Sequence, residues 1–143
     1  MVTVTVRELS TDEFPLVEAL WVHYHGQKTD RTIDRIVGAF VDGDLAAVAR
    51  CRRHPDGLEV DGVFASEEHR GQGLARLVME KLLSIVGDHL LYLHSTLVLT
   101  RFYGSLGFVT IPESDLPPTI KERLAFCFGE MKGCGVAPMR RNP

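Results

Sequence analysis

Between Glu59 and Ala75 the chain reads Glu-Val-Asp-Gly-Val-Phe-Ala-Ser-Glu-Glu-His-Arg-Gly-Gln-Gly-Leu-Ala. The segment is a strand, a short glycine-containing loop and the opening of an amphipathic helix. A helix start leaves backbone N–H groups unpaired and carries the positive end of the helix dipole, so it suits an anion. Gly71 and Gly73 let the backbone approach such an anion, and Ala75 lets the helix lie tight on a sheet. A tight turn that merely contains glycine is the plainer reading of the same residues. No Gly-Lys-Ser/Thr follows, so this is no Walker loop. The third glycine of a dinucleotide fingerprint is absent too.

The rest of the pattern surrounds that segment with a sheet. Val2, Val4 and Val6 alternate with Thr3, Thr5 and Arg7, as in a half-buried strand. Ser10 or Thr11 then caps a helix carrying Leu16, Val17, Leu20, Trp21 and Tyr24 at helical spacing, ended by Gly26. Ile36–Val41 and Leu45–Cys51 read as a hairpin around Asp42-Gly43-Asp44. Pro55-Asp56-Gly57 turns the chain into a further strand, Leu58–Ala65. After Gly71, the apolar positions Leu74, Leu77, Val78, Leu82 and Ile85 predict one helix face, stopped near Gly87. A strand (Leu90–His94), a short helix (Leu97–Leu106), a strand (Phe108–Ile111) and a helix from about Thr119 to Phe128 follow. Val136–Met139 predicts a last strand, at an edge or a bulge because of Pro138. The expectation is an α/β (α+β) fold with a single mixed, mostly antiparallel sheet and flanking helices, in one domain over residues 1–143.

Composition removes other classes. Hydrophobic residues make up 45%, enough apolar surface to offset the entropy of ordering and to exclude disorder. Sixteen Lys and Arg against nineteen Asp and Glu leave a net charge of −3 with no basic block, so nucleic acid is not an expected partner. No apolar run reaches the ~18 residues of a membrane span, and Met1–Ser10 lacks the apolar core of a signal peptide. Cys51, Cys127 and Cys134 are odd in number and form no C-x-x-C pair, which points to a reducing cytoplasm. His23 and His25 form an H-x-H without a second ligand pair, and no metal site is expected.

Further on stands Arg101-Phe-Tyr-Gly-Ser-Leu-Gly-Phe108. Together with Arg70-Gly-Gln-Gly-Leu-Ala75 it resembles the GNAT superfamily of acetyl-CoA-dependent N-acetyltransferases. The first segment matches that family's R/Q-x-x-G-x-G/A pyrophosphate loop and the second its F-Y-x-x-x-G-F element, in the same order. The resemblance covers about residues 2 to 111. Thr96 stands where many members carry Asn, and Ser66-Glu67 replaces the usual turn proline.

The resemblance implies a GNAT-like sheet whose central parallel strands splay to admit the pantetheine arm of acetyl-CoA. Val63, Phe64 and Ala65 would bond that arm. Arg70, Gly71, Gln72, Gly73, Leu74, Ala75 and Arg76 would wrap the pyrophosphate, and Thr96 and Phe102 would complete the cofactor site. An N–H near Ala65 would polarise the thioester carbonyl. Tyr103 occupies the family's general-acid position, beside a plainer role as a packed helix residue. Glu59, eleven residues before Arg70, matches the catalytic Glu of the histone-acetylating branch. Asp61, two residues on, would add negative field for a cationic substrate, and a solvated strand face is the plainer reading of both. His23, His25 and His94 are alternative bases.

The tail Ile111–Arg123, with its Leu-Pro segment, resembles amino-acid N-acetyltransferases of the arginine-biosynthesis type and suggests a small amine or amino acid as acceptor. Arg31, Arg35, Arg50, Arg52 and Arg123 are candidate cations for a substrate carboxylate. Acetylation of a protein N-terminus or Lys, and a non-catalytic acyl-CoA-binding module, are the competing readings. A homodimer would use the Pro138 strand as an exposed or swapped edge.

Overall fold

The computed structural model of the chain describes residues 2–24, 26–123 and 135–143, with only the backbone of His23. Seven strands form a mixed sheet: β1 (Val4–Glu8), β2 (Asp34–Val41), β3 (Asp44–His54), β4 (Gly57–Ala65), β5 (Leu91–Thr96), β6 (Val109–Thr110) and β7 (Val136–Arg141). Their order is β1-β2-β3-β4-β5-β7-β6. Its helices include α1 (Phe14–Leu20), α2 (Leu74–Val86) and α3 (Thr100–Gly104). The chain divides into two compact units, Met1–Arg52 with Asp61–Gly87 and Arg53–Val60 with Asp88–Pro143.

In the first unit β1, β2 and β3 form an antiparallel meander, with a register shift between Ala39 and Phe40. Asp42 (φ 49) and Gly43 (φ 90) both take the left-handed conformation that a two-residue hairpin turn demands. Ser10 and Glu13 make a reciprocal capping box ahead of α1. The predicted helix stops earlier than Gly26: it tightens at Trp21–His23 into a 3₁₀ turn, with Tyr24 N–H donating to Trp21 O at 2.8 Å. Leu9, Phe14, Val17, Trp21, Ile36 and Val48 form the core beneath it.

Helix α2 lies against β1 and β2 and buries Leu74, Val78, Met79, Leu82 and Val86. Leu77, predicted to face the core, is 40% exposed, and Ile85 is only half-buried. The true stripe follows the i, i+4 row from Leu74 to Val86.

In the second unit the first half of β4 pairs in parallel with β5, Leu58 opposite Leu91 and Glu59 opposite Tyr92. Strand β7 lies between β5 and β6 and is antiparallel to both. It is therefore not an edge, contrary to the expectation from Pro138. The proline is tolerated because its carbonyl accepts from Ile111 N–H at 3.0 Å, beyond the end of the two-residue β6. Its missing N–H points the same way, where no ladder bond is needed. The edge argument for a homodimer loses its premise with it.

Residues 118–123 are helical, and the rest of the predicted helix to Phe128 lies outside the described residues, as do Cys127, Cys134 and His25. Leu116 and Ile120 bury against Tyr92. Among the described residues no helix is long and apolar enough to cross a membrane.

Candidate active site

In the first unit β4 ends at Ala65 and a 3₁₀ turn over Glu67–His69 leads to Arg70. Gly71 (φ 81) and Gly73 (φ 77) are both left-handed and exposed, and a Cβ added to either would meet nothing within 4 Å. The glycines are thus required by the backbone course and not by protein packing, which leaves room over the loop. Gly73 is the N-cap of α2 and offers no side chain to cap it. The first bond back to the cap runs from Leu77 N–H to Gly73 O at 3.2 Å, so the N–H groups before it point out of the helix.

Of the residues expected here, Arg70, Gln72 and Arg76 are exposed, while the Leu74 side chain is core, so that residue has only its backbone to offer a ligand. Arg70 donates from Nε to Ala65 O at 3.3 Å, and its guanidinium stands 5.6 Å from the Phe64 ring centre. Phe64 in turn stacks on Tyr24 with ring centres 4.9 Å apart. Val63, Phe64 and Ala65 are half-buried.

Asp61 is not a solvated strand residue. Its carboxylate accepts two hydrogen bonds from the buried Arg50, and that cation cancels the negative field expected of it. The candidate substrate cations are likewise engaged: Arg50 also approaches Asp34, Arg52 pairs with Asp34, Arg35 with Glu8 and Arg31 with Asp12.

The second unit holds Tyr103, Glu59 and Thr96. Gly107 (φ 97) folds the chain back after α3, so that Phe108 N–H donates to Tyr103 O at 3.1 Å. The buried Tyr103 ring then meets Phe102 and Phe108 edge-on, with centres 5.1 and 6.2 Å away. The spacing of the two Gly-Phe and Phe-Tyr pairs is therefore what clamps the phenol. Thr96, the last residue of β5, has a buried hydroxyl oxygen without a hydrogen-bond partner among the described residues.

Glu59 is 1% exposed, which overturns the solvated-face reading for it as well. His54 Nε2 lies 2.8 Å from Glu59 Oε1, Arg123 Nε at 3.5 Å and His94 Nε2 at 4.0 Å from the same carboxylate. His94 Nε2 is also 2.9 Å from Ile120 O, which makes that nitrogen a donor. His54 was missed by sequence reasoning. The two-residue turn Pro55-Asp56 sets His54 and Glu59 diagonally on one face of the hairpin, so the register carried the signal.

Residues 3–108 match the family described as Acetyltransferase (GNAT) family. Among solved structures, Escherichia coli ElaA shares 19% identity at a TM-score of 0.66, over 99% of this chain and 100% of that one. N-acetylglutamate synthase from Neisseria gonorrhoeae, complexed with coenzyme A and N-acetyl-glutamate, shares 18% at 0.71, over 97% of this chain and 35% of that one. The ribosomal-protein-S18-alanine N-acetyltransferase from Escherichia coli shares 18% at 0.67, over 97% and 93%. No curated protein matches the chain.

Proposed function

Because the chain belongs to the GNAT acetyltransferase family, whose chemistry is acyl transfer from an acyl-CoA, we propose that it acetylates a primary amine from acetyl-CoA. The acceptor in this reading is a small amine or amino acid, which attacks directly in a ternary complex. The whole chain, 1–143, serves this one activity. The observation that carries the reading is the opening of α2: two exposed left-handed glycines and a bare helix start with open space above them.

The backbone N–H groups of Gly71–Arg76 hold the diphosphate with the positive end of α2, and Arg70 and Arg76 add charge at exposed positions. Val63, Phe64 and Ala65 offer backbone groups to the pantetheine arm, and an N–H near Ala65 polarises the thioester carbonyl. Thr96 Oγ1 and the Phe102 ring complete the cofactor contacts. When bound, the thioester supplies the activated acetyl group and a thiolate leaving group. Tyr103 gives its phenolic proton to the departing sulfur; a phenol of pKa ~10 and a thiol of ~8.5 are close enough for that transfer. Glu59 removes the amine proton through a water, with His54 Nε2–H donating to its carboxylate and holding it in place.

A small acceptor is favoured because the tail from Leu116 to Arg123 packs over Tyr92 and reaches Glu59, where a polypeptide would need an open groove. A reducing, cytoplasmic location belongs to the same reading, on the odd number of cysteines and the lack of a C-x-x-C pair. Thiol release from acetyl-CoA, measured with a panel of free amino acids, amines and short peptides, tests the reading. Turnover of at least one small amine is expected. Faster turnover of peptides would move the acceptor to a protein, and acetyl-CoA binding without any turnover would leave a non-catalytic binding module.

A further inference from the structure

Strand β4 does not run straight through its outer half, because Gly62 sits at φ +62 inside it. A left-handed residue within a strand breaks the two-residue alternation of side chains. The break is visible here. Asp61 and Phe64 are three apart and would face opposite sides of an unbroken strand. Both instead serve the same side, that of Trp21. The Arg50 guanidinium that grips Asp61 stands 4.7 Å from the Trp21 ring centre, and Phe64 packs into the core cluster that contains Trp21.

Trp21 fits the kink closely. It is fully buried, and its Nε1–H donates to Gly62 O at 3.0 Å. A Cβ on Gly62 would collide with Cζ2 of the indole and stand 3.1 Å from Cε2. The ring thus fills the space that only glycine leaves, and its N–H satisfies a buried carbonyl that the kink turns toward it. Arg50 lies over the ring whose edge meets Gly62. It donates to both Asp61 oxygens, to Gln27 Oε1 at 2.7 Å and to Lys28 O at 2.8 Å. Two consecutive β4 residues are therefore tied to one tryptophan–arginine stack, Asp61 by its side chain and Gly62 by its backbone.

We propose that Trp21 is a positioning residue for acyl transfer, holding the Gly62 kink so that the backbone of Val63–Ala65 is aimed at the acyl-CoA arm. The inference rests on the acyl-CoA reading of that stretch. Trp21 itself touches no reacting atom. Its importance follows from geometry: backbone donors stabilise developing charge only when aimed correctly, and a shift of about 1 Å can cost on the order of a hundredfold in rate.

Two measurements separate this role from ordinary core packing. Trp21 is the only tryptophan in the chain, so its emission reports on the kink without any labelling. Titration with acetyl-CoA is expected to shift or quench that emission, saturating at the dissociation constant found by calorimetry. Trp21→Phe keeps most of the buried ring and deletes the N–H. It is expected to melt within several degrees of the wild type while kcat/KM for acetyl-CoA falls about tenfold or more.

Unchanged emission at saturation would overturn the inference. So would a Trp21→Phe protein that loses thermal stability yet keeps wild-type kcat and KM below its melting range. If that variant does not fold, the emission titration decides alone, since it needs no substitution. A wild-type protein that binds no acetyl-CoA in calorimetry overturns the acyl-CoA reading itself, and this inference with it.

Discussion

Arg50 meets Asp61 side-on, Nε to Oδ1 at 2.7 Å and Nη2 to Oδ2 at 2.8 Å, with side chains only 2% and 13% exposed. Such a buried pair adds little stability over well-packed apolar residues, because both ions were desolvated to make it. Removing one partner is another matter. Arg50→Met would leave Asp61 and the nearby Asp34 without their shared cation, and would strip Gln27 Oε1 and Lys28 O of a donor. A loss of about 3–5 kcal/mol in urea unfolding is expected. A loss under ~1 kcal/mol would mean that water already reaches the pair.

Tyr103→Phe isolates the proposed acid from its packing. The ring contacts with Phe102 and Phe108 survive the loss of the hydroxyl, so the fold should be kept. Turnover should fall about a hundredfold or more, the usual size of a lost general acid, with little change in acetyl-CoA affinity. If affinity and turnover fell together, or neither moved, the phenol would be a packing residue only.

Gly73→Val tests the diphosphate loop, and Gly87→Val at the other end of α2 is its control. Both glycines are left-handed, and a Cβ at either position meets nothing within 4 Å, so neither substitution clashes with protein. Each costs stability through the backbone alone, at least ~1–2 kcal/mol, and more at Gly87, whose ψ of −148 is closed to other residues. Only Gly73→Val should abolish acetyl-CoA binding in calorimetry. Equal loss in both, or retained binding in Gly73→Val, would remove the loop from the site.

What could be read without coordinates is what local chemistry dictates. The Asp42-Gly43 turn announces its hairpin because few residues tolerate positive φ, and Pro55-Asp56 announces the next because proline presets the φ of a turn. Gly71 and Gly107 likewise mark where the chain must double back. The α2 face was legible in type but not in membership, since Leu77 and Val78 are adjacent and either could lead the stripe. Long-range pairing was not legible at all. Nothing local says that Trp21 closes on Gly62, forty-one residues away, or that the charges at 50 and 61 cancel each other. Pro138 misled because a rule about strand edges was applied without knowing which side its missing N–H would face.

The Glu13 carboxylate, bonded by the Arg7 guanidinium and the Ser10 N–H, is held down to about 2 from an ordinary 4.5. A carboxyl lowered on folding contributes stability above the unfolded value, and that contribution disappears as the pH falls from about 4.5 toward 2. Both side chains are substantially open to water, so the contribution is only about 0.5–1 kcal/mol. Glu13→Gln should be less stable than the wild type by that amount at neutral pH. The gap should close as the pH approaches 2, and a gap independent of pH would deny the cap its charge.

Glu59→Gln tests the base, and the burial of this residue makes the test informative. The amide is isosteric, and His54 Nε2 can still donate to its oxygen, so the local shape is kept while the charge is lost. Arg123 and His94 lose a carboxylate neighbour, and a destabilisation of about 1–3 kcal/mol is expected in urea unfolding. That cost says nothing about catalysis, so the deciding measurement is the pH dependence of kcat/KM for the amine. With Glu59 as base, the variant should be about a hundredfold slower at neutral pH. Its rate should recover as the pH rises toward the amine's own pKa, ~8 for an α-amino group, because the nucleophile then arrives already deprotonated. A variant with the wild-type profile, merely less stable, would return the base role to water and leave Glu59 as the anion that holds His54 and Arg123 in place.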